Sequence, residues 1–382
     1  MNFALTDEQQ MVKDMVTKFA EAEIKPIAAE LDHTHRHPEE ICRKLGAMGI
    51  MGVSTPVEYG GAGMDTVTYV HCMIAISKAC ASTGVIVSVN NSLYGYPLNT
   101  YGTHEQKLQF LAPVAGGKAE GCYGLTEASA GSDAAALKCR AELKGDKYIV
   151  NGTKTFITNG NVASYCVLAA TTDPSKGYKG VINLVVDLKN TKGFSVGKIE
   201  EKMGILASGT SELVFEDAEV PVANLLGKEG QGFKQMLSSL DAGRIGIGSQ
   251  ACGIGKAALE DALNYAKERV QFGKPIATFQ AIQFKLADMA TELDAAELLL
   301  LRAAWLEDNH LDFEKESAMA KMYASDVAMQ AAIEGVQIFG GYGYCKEYPA
   351  ERHMRDAKIC QIYEGTNEIQ RVVIARKLLE MR

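Results

Sequence analysis

Apolar positions recur at helical spacing from the start of the chain. Leu5, Met11, Val12, Met15, Val16 and Phe19 fall along one stripe, and Thr6 with Gln9 has the pattern of a capping box. The same period continues through EEICRKLGAMGI and the run beginning at Val67, so residues 5 to about 118 are predicted to be mostly helical. Near Gly121 the texture changes. KYIVNG, SYCVLAATT, GVINLVVDL and ELVFEDAEV are short, rich in β-branched and aromatic residues, and separated by turn signals. Asn151-Gly152 and Asn159-Gly160 bracket GTKTFIT, which predicts a strand between two tight turns. This block ends near Val220-Pro221, and from Gly232 the helical period returns in three Pro-free stretches dominated by Ala, Leu, Lys and Glu. The pattern predicts a helical domain over 1–120, a β domain over 121–231 and a helical domain over 232–382. No alternating strand–helix series is present, which argues against a doubly wound dinucleotide fold.

The bulk properties narrow the class. The chain has 382 residues, 47% of them hydrophobic and 23% charged, as in an ordinary globular protein. Its formal net charge of −8, without a basic block, disfavours a nucleic-acid surface. Nine scattered cysteines, with no CxxC pair, argue against a disulfide framework or a zinc site and fit a reducing compartment. His33, His35 and His37 alternate in DHTHRHPEE and are expected to form a polar surface turn; no metal is expected. The apolar run LLLLRAAWL is too short to span a bilayer and is broken by Arg302, and the N-terminal residues carry neither a signal nor a transit pattern. A cytoplasmic protein without membrane insertion is expected.

Two glycine-containing stretches and one carboxylate stand out as candidate chemistry. FGGYGY, Phe339 to Tyr344, lacks G-x-G-x-x-G spacing and follows a helix, so it reads as a helix C-terminus, though its backbone amides can approach a pyrophosphate. GLTEASAGSD, Gly124 to Asp133, is a loop of small and hydroxyl residues without a nucleophile signature. In IYEGTNEIQR, Glu364 precedes Gly365 and Thr366, the latter a candidate N-cap for the run Ile369, Val372, Val373. Glu364 is there either as a carboxylate favoured by a helix N-terminus or as a general base on a loop beside an apolar pocket.

Taken together, YGLTEASAGSD (123–133), KTFITNG (154–160), KMGILASGTSELVFEDAEVP (202–221), DAGRIGIGSQACG (241–253), ERVQFGKPIATFQAIQFKLADM (268–289), QIFGGYGYCKEYPAERHMRDAKI (337–359) and IYEGTNEIQR (362–371) resemble the acyl-CoA dehydrogenase family, in particular its short-chain, butyryl-CoA-type members. The seven segments stand in family order over essentially the whole chain. The resemblance implies an N-terminal helical domain, a middle antiparallel β-barrel-like domain and a C-terminal four-helix bundle. It implies FAD as cofactor, α,β-dehydrogenation of a saturated acyl thioester to the trans-2-enoyl product, and an electron-transferring flavoprotein as acceptor.

The resemblance also assigns residues. Tyr123, Leu125, Thr126 and Ser132 match the segment that binds the flavin ring and pyrophosphate, with Ser132 also near substrate. Phe156 and Thr158 match a pair that packs on the isoalloxazine and bonds its reactive edge; many relatives have tryptophan at position 156. Arg269, Gln271, Phe272, Phe279, Gln280 and the stretch Gln337 to Gly341, with Gly340, match the set that holds the adenine half from a neighbouring subunit, which implies an oligomer, a tetramer by family. Thr366 and Glu368 match cofactor contacts. Asp241 and Arg244 match the thioester and CoA end of the channel, Gly365 lies against the ligand, and Glu364 matches the base, with flavin N5 as hydride acceptor. Thioester-oxygen donors in the family are the base's own N–H and a ribityl hydroxyl. Some relatives place the base at the position matching Gly243, which here has no side chain. Glutaryl-CoA-type relatives carry an arginine in the segment matching residues 82–95; Gly84 is expected to stand in its place, so an uncharged acyl group is expected, with branched or cyclic groups open. The rival function within the enzyme class is a glutaryl-CoA or branched or cyclic acyl-CoA dehydrogenase, and from another class a scaffold flavoprotein that kept the fold without catalysis; an acyl-CoA oxidase would need oxygen access to reduced flavin.

Overall fold

The computed structural model describes residues 4–380. The outermost residues of both predicted terminal domains, 1–3 and 381–382, lie outside the described residues. The N-terminal part is helical: α1 (Asp7–Phe19), α2 (Ala28–Thr34), α3 (Glu39–Ala47), α4 (Thr66–Ala79), α5 (Ala81–Ser88), α6 (Tyr96–Tyr101), α7 (His104–Gln106) and α8 (Ala112–Ala115). The Thr6–Gln9 capping box forms, with each side chain bonded to the other residue's backbone. After α5 the chain runs on through a π-helical segment, Val89–Gly95, which is a common way to wind a helix around a functional site.

The middle part is one curled sheet of β1 (Gly121–Gly124), β2 (Arg140–Lys144), β3 (Lys147–Thr158), β4 (Tyr165–Thr171), β5 (Val181–Asp187), β6 (Phe194–Ile199) and β7 (Thr210–Pro221). The strand order is β1-β4-β2-β3-β7-β6, with β5 on β4. Two features differ from the sequence reading. The sheet is mixed, because β1 runs parallel to β4 while β3, β5, β6 and β7 pair antiparallel. Asn151-Gly152 is no turn: β3 passes straight through it, and the irregularity appears as a register shift against β7 between Val150 and Gly152. A side chain at Gly152 would collide with Cys139, so the glycine serves close strand packing.

The C-terminal part holds α9 (Gly232–Glu268), a short hairpin of β8 (Val270–Gln271) and β9 (Lys274–Pro275), then α10 (Gln280–Asp308), α11 (Glu314–Phe339), α12 (Ala350–Cys360) and α13 (Asn367–Leu378). At 37 residues, α9 is about 55 Å long and runs through the centre of the molecule. Ala242 to Gly255 are all buried, because α4, α5, α10, α11 and α12 pack around it. Small residues set how closely they approach. Gly248 faces the Lys321 backbone and Gly255 faces Ala328, while Ala320, Ala324, Ala328 and Ala332 line the opposing helix. Among the described residues no helix is long and apolar enough to cross a membrane.

Candidate active site

Glu364 sits on the turn between α12 and α13, at a positive φ of 54°, followed by Gly365 at 90°. A non-glycine residue in this region costs of order 1 kcal/mol, so the surroundings must hold it there. Three groups do so. Gln370 Nε2 donates to the Glu364 carbonyl at 3.2 Å and to the Gly365 carbonyl at 2.9 Å. Lys321 Nζ donates to the Gly365 carbonyl at 2.8 Å. The Thr366 hydroxyl caps α13 by accepting from the Ile369 N–H at 3.3 Å, as its sequence position predicts. The Glu364 N–H donates to no group among the described residues.

The Glu364 carboxylate points inward. Its Oε2 is buried and has no hydrogen-bond partner among the described residues. It lies against Gly243 of α9, where even a single Cβ would collide with it, so glycine at this position makes room for the carboxylate. Burial pushes the Glu364 pKa up to about 8, against the opposing pull of Lys321 and Arg244. Apolar surface from Val89, Leu93 and Tyr363 adjoins the site. Tyr363 itself is anchored by its hydroxyl to Gln250, which in turn holds the Ala81 carbonyl at 2.9 Å. One helical turn further along α9, Gly246 faces the Tyr69 hydroxyl and Ser88 Oγ, which are 3.4 Å apart. Asp241 and Arg244 lie on the same helix, Nη1 to Oδ1 at 2.6 Å, and Arg244 Nε is buried without a partner. Burial raises the Asp241 pKa to about 6 despite the arginine beside it.

A second group lies on the sheet. Tyr123 is buried at the edge of β1 with its hydroxyl unpartnered among the described residues, and Leu125 and Thr126 follow, half-buried. The Thr155 N–H donates to the Thr126 carbonyl at 2.8 Å, so the two sequence segments meet. Beneath them Lys154, fully buried, pairs with Glu127 at 2.7 Å and donates to the Leu125 carbonyl at 3.0 Å. Phe156 is 65% exposed and held at a φ of 57°, an aromatic ring presented outward by a strained residue. Thr158 ends β3, half-buried, and Ser132 is exposed. The buried, unpartnered hydroxyls of Tyr123 and Thr155, with the exposed aromatic ring of Phe156, fit a planar, partly polar ring system such as a flavin.

A third group gathers at one end of the C-terminal helices. Arg269 stands over the Tyr342 ring at 5.5 Å, Phe272 and Phe279 pack edge-on at 6.0 Å, and Gln271, Gln280, Gln337, Gly340 and Gly341 are exposed around them. Gly340, at a φ of 62°, ends α11 as its sequence position predicts, and neither Gly340 nor Gly341 has an atom near where a side chain would stand. Glu368 is exposed in the first turn of α13.

Gly84, on α5, packs closely on α4, where an added Cβ would meet Ser77, and Ser88, one turn on, lies beside Gly246. Sequence reasoning misplaced one residue. His37 belongs to no exposed turn. It is half-buried, and its Nε2 meets Glu120 Oε1 at 2.6 Å, tying the first helices to the start of the sheet, with Cys42 nearby. The residues missed altogether are Tyr69, Ser88, Lys321 and Gln370. Lys321 carries a readable signal, since it falls in helical register with Ser317, Ala324, Ser325 and Ala328, all buried.

Comparison with known proteins bears on the whole chain. The family models that match are the acyl-CoA dehydrogenase N-terminal domain over residues 6–118, the middle domain over 122–218 and the C-terminal domain over 230–379. A short-chain specific acyl-CoA dehydrogenase of Clostridium acetobutylicum is 50% identical over 99% of this chain and 100% of its own length. The structure of butyryl-CoA dehydrogenase from Megasphaera elsdenii superposes with a TM-score of 0.97 at 45% identity, over 99% of this chain and all of that one. A chain from structural work on the electron transferring flavoprotein of Acidaminococcus fermentans and flavin-based electron bifurcation superposes with a TM-score of 0.98 at 50% identity, over 99% of this chain and all of that one.

Proposed function

This chain belongs to the acyl-CoA dehydrogenase family, oxidoreductases acting on CH–CH groups, and from that premise we propose that it dehydrogenates a short-chain acyl-CoA, with Glu364 as the base and FAD as cofactor. The observation that supports this most directly is the Glu364 carboxylate, whose Oε2 is buried, unpartnered among the described residues and set against a glycine. An α C–H of a thioester is a very weak acid, so an ordinary solvated carboxylate is too weak a base. Burial raises the Glu364 pKa to about 8, which strengthens the base while leaving much of it ionised in mildly alkaline solution. The free Glu364 N–H is a donor for the thioester oxygen, where charge develops as the α proton leaves. Bound FAD supplies the two-electron sink for the β hydrogen. Tyr123, Leu125, Thr126, Ser132, Phe156 and Thr158 would hold the flavin end, with Thr366 and Glu368 as further cofactor contacts.

The short acyl chain is read from the floor of the pocket. From Gly243, beside the base, to Gly246, beside Tyr69 and Ser88, is three residues of helix, or about 4.5 Å. The Tyr69 and Ser88 hydroxyls stand beside Gly246, and neither carries a charge to pair a distal carboxylate. Asp241 and Arg244 would meet the polar part of the thioester at the open end. The exposed set around Arg269 and Phe272 lies in its own group and is read as serving the cofactor of a neighbouring subunit in a homotetramer. An electron-transferring flavoprotein is the proposed acceptor, in line with the likeness to the Acidaminococcus chain.

Anaerobic titration of the purified protein with butyryl-, octanoyl- and glutaryl-CoA, following flavin absorbance, tests this reading. Butyryl-CoA should bleach the flavin fastest, and Glu364→Gln should bind it without bleaching. Faster bleaching by glutaryl-CoA overturns the reading of the pocket floor, and bleaching by the Gln variant at the wild-type rate overturns the base. If no acyl-CoA bleaches the flavin, a scaffold role takes the place of catalysis.

A further inference from the structure

Lys321 is an unusual residue to find where it is. It lies in the middle of α11, its side chain is wholly shielded from solvent, and no carboxylate oxygen is among its hydrogen-bond partners. Its Nζ instead donates to the Gly365 carbonyl at 2.8 Å and to Asn367 Oδ1 at 3.1 Å. An ammonium group buried on neutral acceptors alone is costly, so a lysine kept in such a place needs a reason. Its surroundings are built to hold it. Asn367 Oδ1 also accepts from Ser325 Oγ at 3.1 Å, and Asn367 Nδ2 donates to Asp326 at 2.8 Å, which fixes the amide with its oxygen toward the lysine. Gly248 of α9 lets the α11 backbone come close at Lys321 itself.

We propose that Lys321 is a positioning residue for the reaction, clamping the Gly365 carbonyl so that the strained turn presents the Glu364 carboxylate to the channel and leaves the Glu364 N–H free. This rests on the reading of Glu364 as the base. The turn has two consecutive residues at positive φ, and its two carbonyls point to the same side, into Gln370 and Lys321. Gln370 alone supplies a neutral donor to both; Lys321 adds a charge. That charge is felt at the carboxylate, as is that of Arg244 on α9; the Tyr69 hydroxyl from α4 and the Tyr363 hydroxyl also feel the carboxylate. Around the lysine, Cys360 of α12 and Asp326 of α11 complete the titratable groups. Burial lowers the Lys321 pKa to about 8, with Cys360 and Glu364 opposing, so it shares its titration range with Glu364.

Two variants separate charge from hydrogen bonding. Lys321→Met keeps length and apolar stem and removes the charge; Gln370→Met removes the neutral donor to the same carbonyls. Two quantities are measured: flavin reduction by butyryl-CoA under anaerobic stopped flow, and the titration midpoint of Glu364 from carboxyl carbon NMR of the protein labelled at glutamate, identified by its loss in Glu364→Gln. Both Met variants should slow flavin reduction, by about 10- to 100-fold, as a loosened base does, with butyryl-CoA affinity changed less than threefold. Only Lys321→Met should raise the Glu364 midpoint, and with it the acid limb of the rate profile. Should Lys321→Met fail to fold, Lys321→Gln carries the test, recovering part of the rate with the midpoint still raised. A Lys321 variant with the wild-type rate and midpoint overturns the proposal. Wild-type bleaching in Glu364→Gln overturns the base reading instead, and the NMR midpoint then still reports whether Lys321 acts on Glu364.

Discussion

At Glu364 the fold keeps a carboxyl group in a place that favours its neutral form, and the consequence can be measured without substrate. Burial raises its pKa from the ordinary carboxylate range to about 8. Between those values the unfolded chain is ionised while the folded chain still holds the proton, so stability falls as pH rises through this window. Glu364→Gln does not titrate, so its advantage in melting temperature over the wild type should be absent below about pH 4, grow up to about pH 8 and then level off. Melting curves across that range check it, and a pH-independent difference would show that the carboxyl is solvated. Glu364 and Gly243 were legible in the sequence, because a motif carried each. Tyr69 and Ser88 were not, because a tyrosine and a serine have no local pattern that says which interior they face; the register of Lys321 with Ser317, Ala324, Ser325 and Ala328 marks it as buried but not what it bonds.

At the scale of elements, the edge proposed to face the flavin depends on a buried ion pair between two segments that the sequence shows only as separate motifs. Glu127 takes the Lys154 ammonium at 2.7 Å and the N–H groups of Lys138 and Cys139 at 2.7 and 2.9 Å. Burial alone would raise the Glu127 pKa, but the lysine's charge and these donors hold it below its ordinary value. Glu127→Ala leaves a fully buried ammonium uncompensated and should cost about 3–5 kcal/mol of stability. It should also release FAD, since Lys154 positions the Leu125 carbonyl and lies beside Thr155 and Phe156. Adding Lys154→Met should return part of the loss, and denaturant titration of the single and double variants reads both effects. A loss below about 1 kcal/mol in the single variant would mean that water reaches the pair. The order of helices and strands was readable from periodicity, yet the merger of KYIVNG and GTKTFIT into one strand was not. Asn-Gly favours a tight turn locally, and pairing with β7 on both sides of it overrides that preference.

For the whole molecule, the question is why one end of the C-terminal helices exposes so much aromatic surface. Phe272 is 94% exposed at a φ of 52° and Tyr344 is 86% exposed, next to Arg269, Gln271 and two unobstructed glycines. A lone chain gains nothing by holding a phenylalanine in solvent in a strained conformation, whereas a surface that closes over a second chain and its cofactor buries the ring. If this end completes a neighbour's cofactor site, assembly and FAD retention are linked by mass action, so each must strengthen the other. Phe272→Ala should then lower the oligomer's sedimentation coefficient at micromolar concentration and shed FAD in the same concentration range. Added FAD should restore both together. The melting profile of the separated chain should change little, because the exposed Phe272 ring packs edge-on against Phe279 and is otherwise open to solvent. Loss of FAD without any change in assembly would place these residues on the chain's own cofactor. Loss of assembly with FAD fully retained would leave the exposed aromatic end as a subunit contact and nothing more.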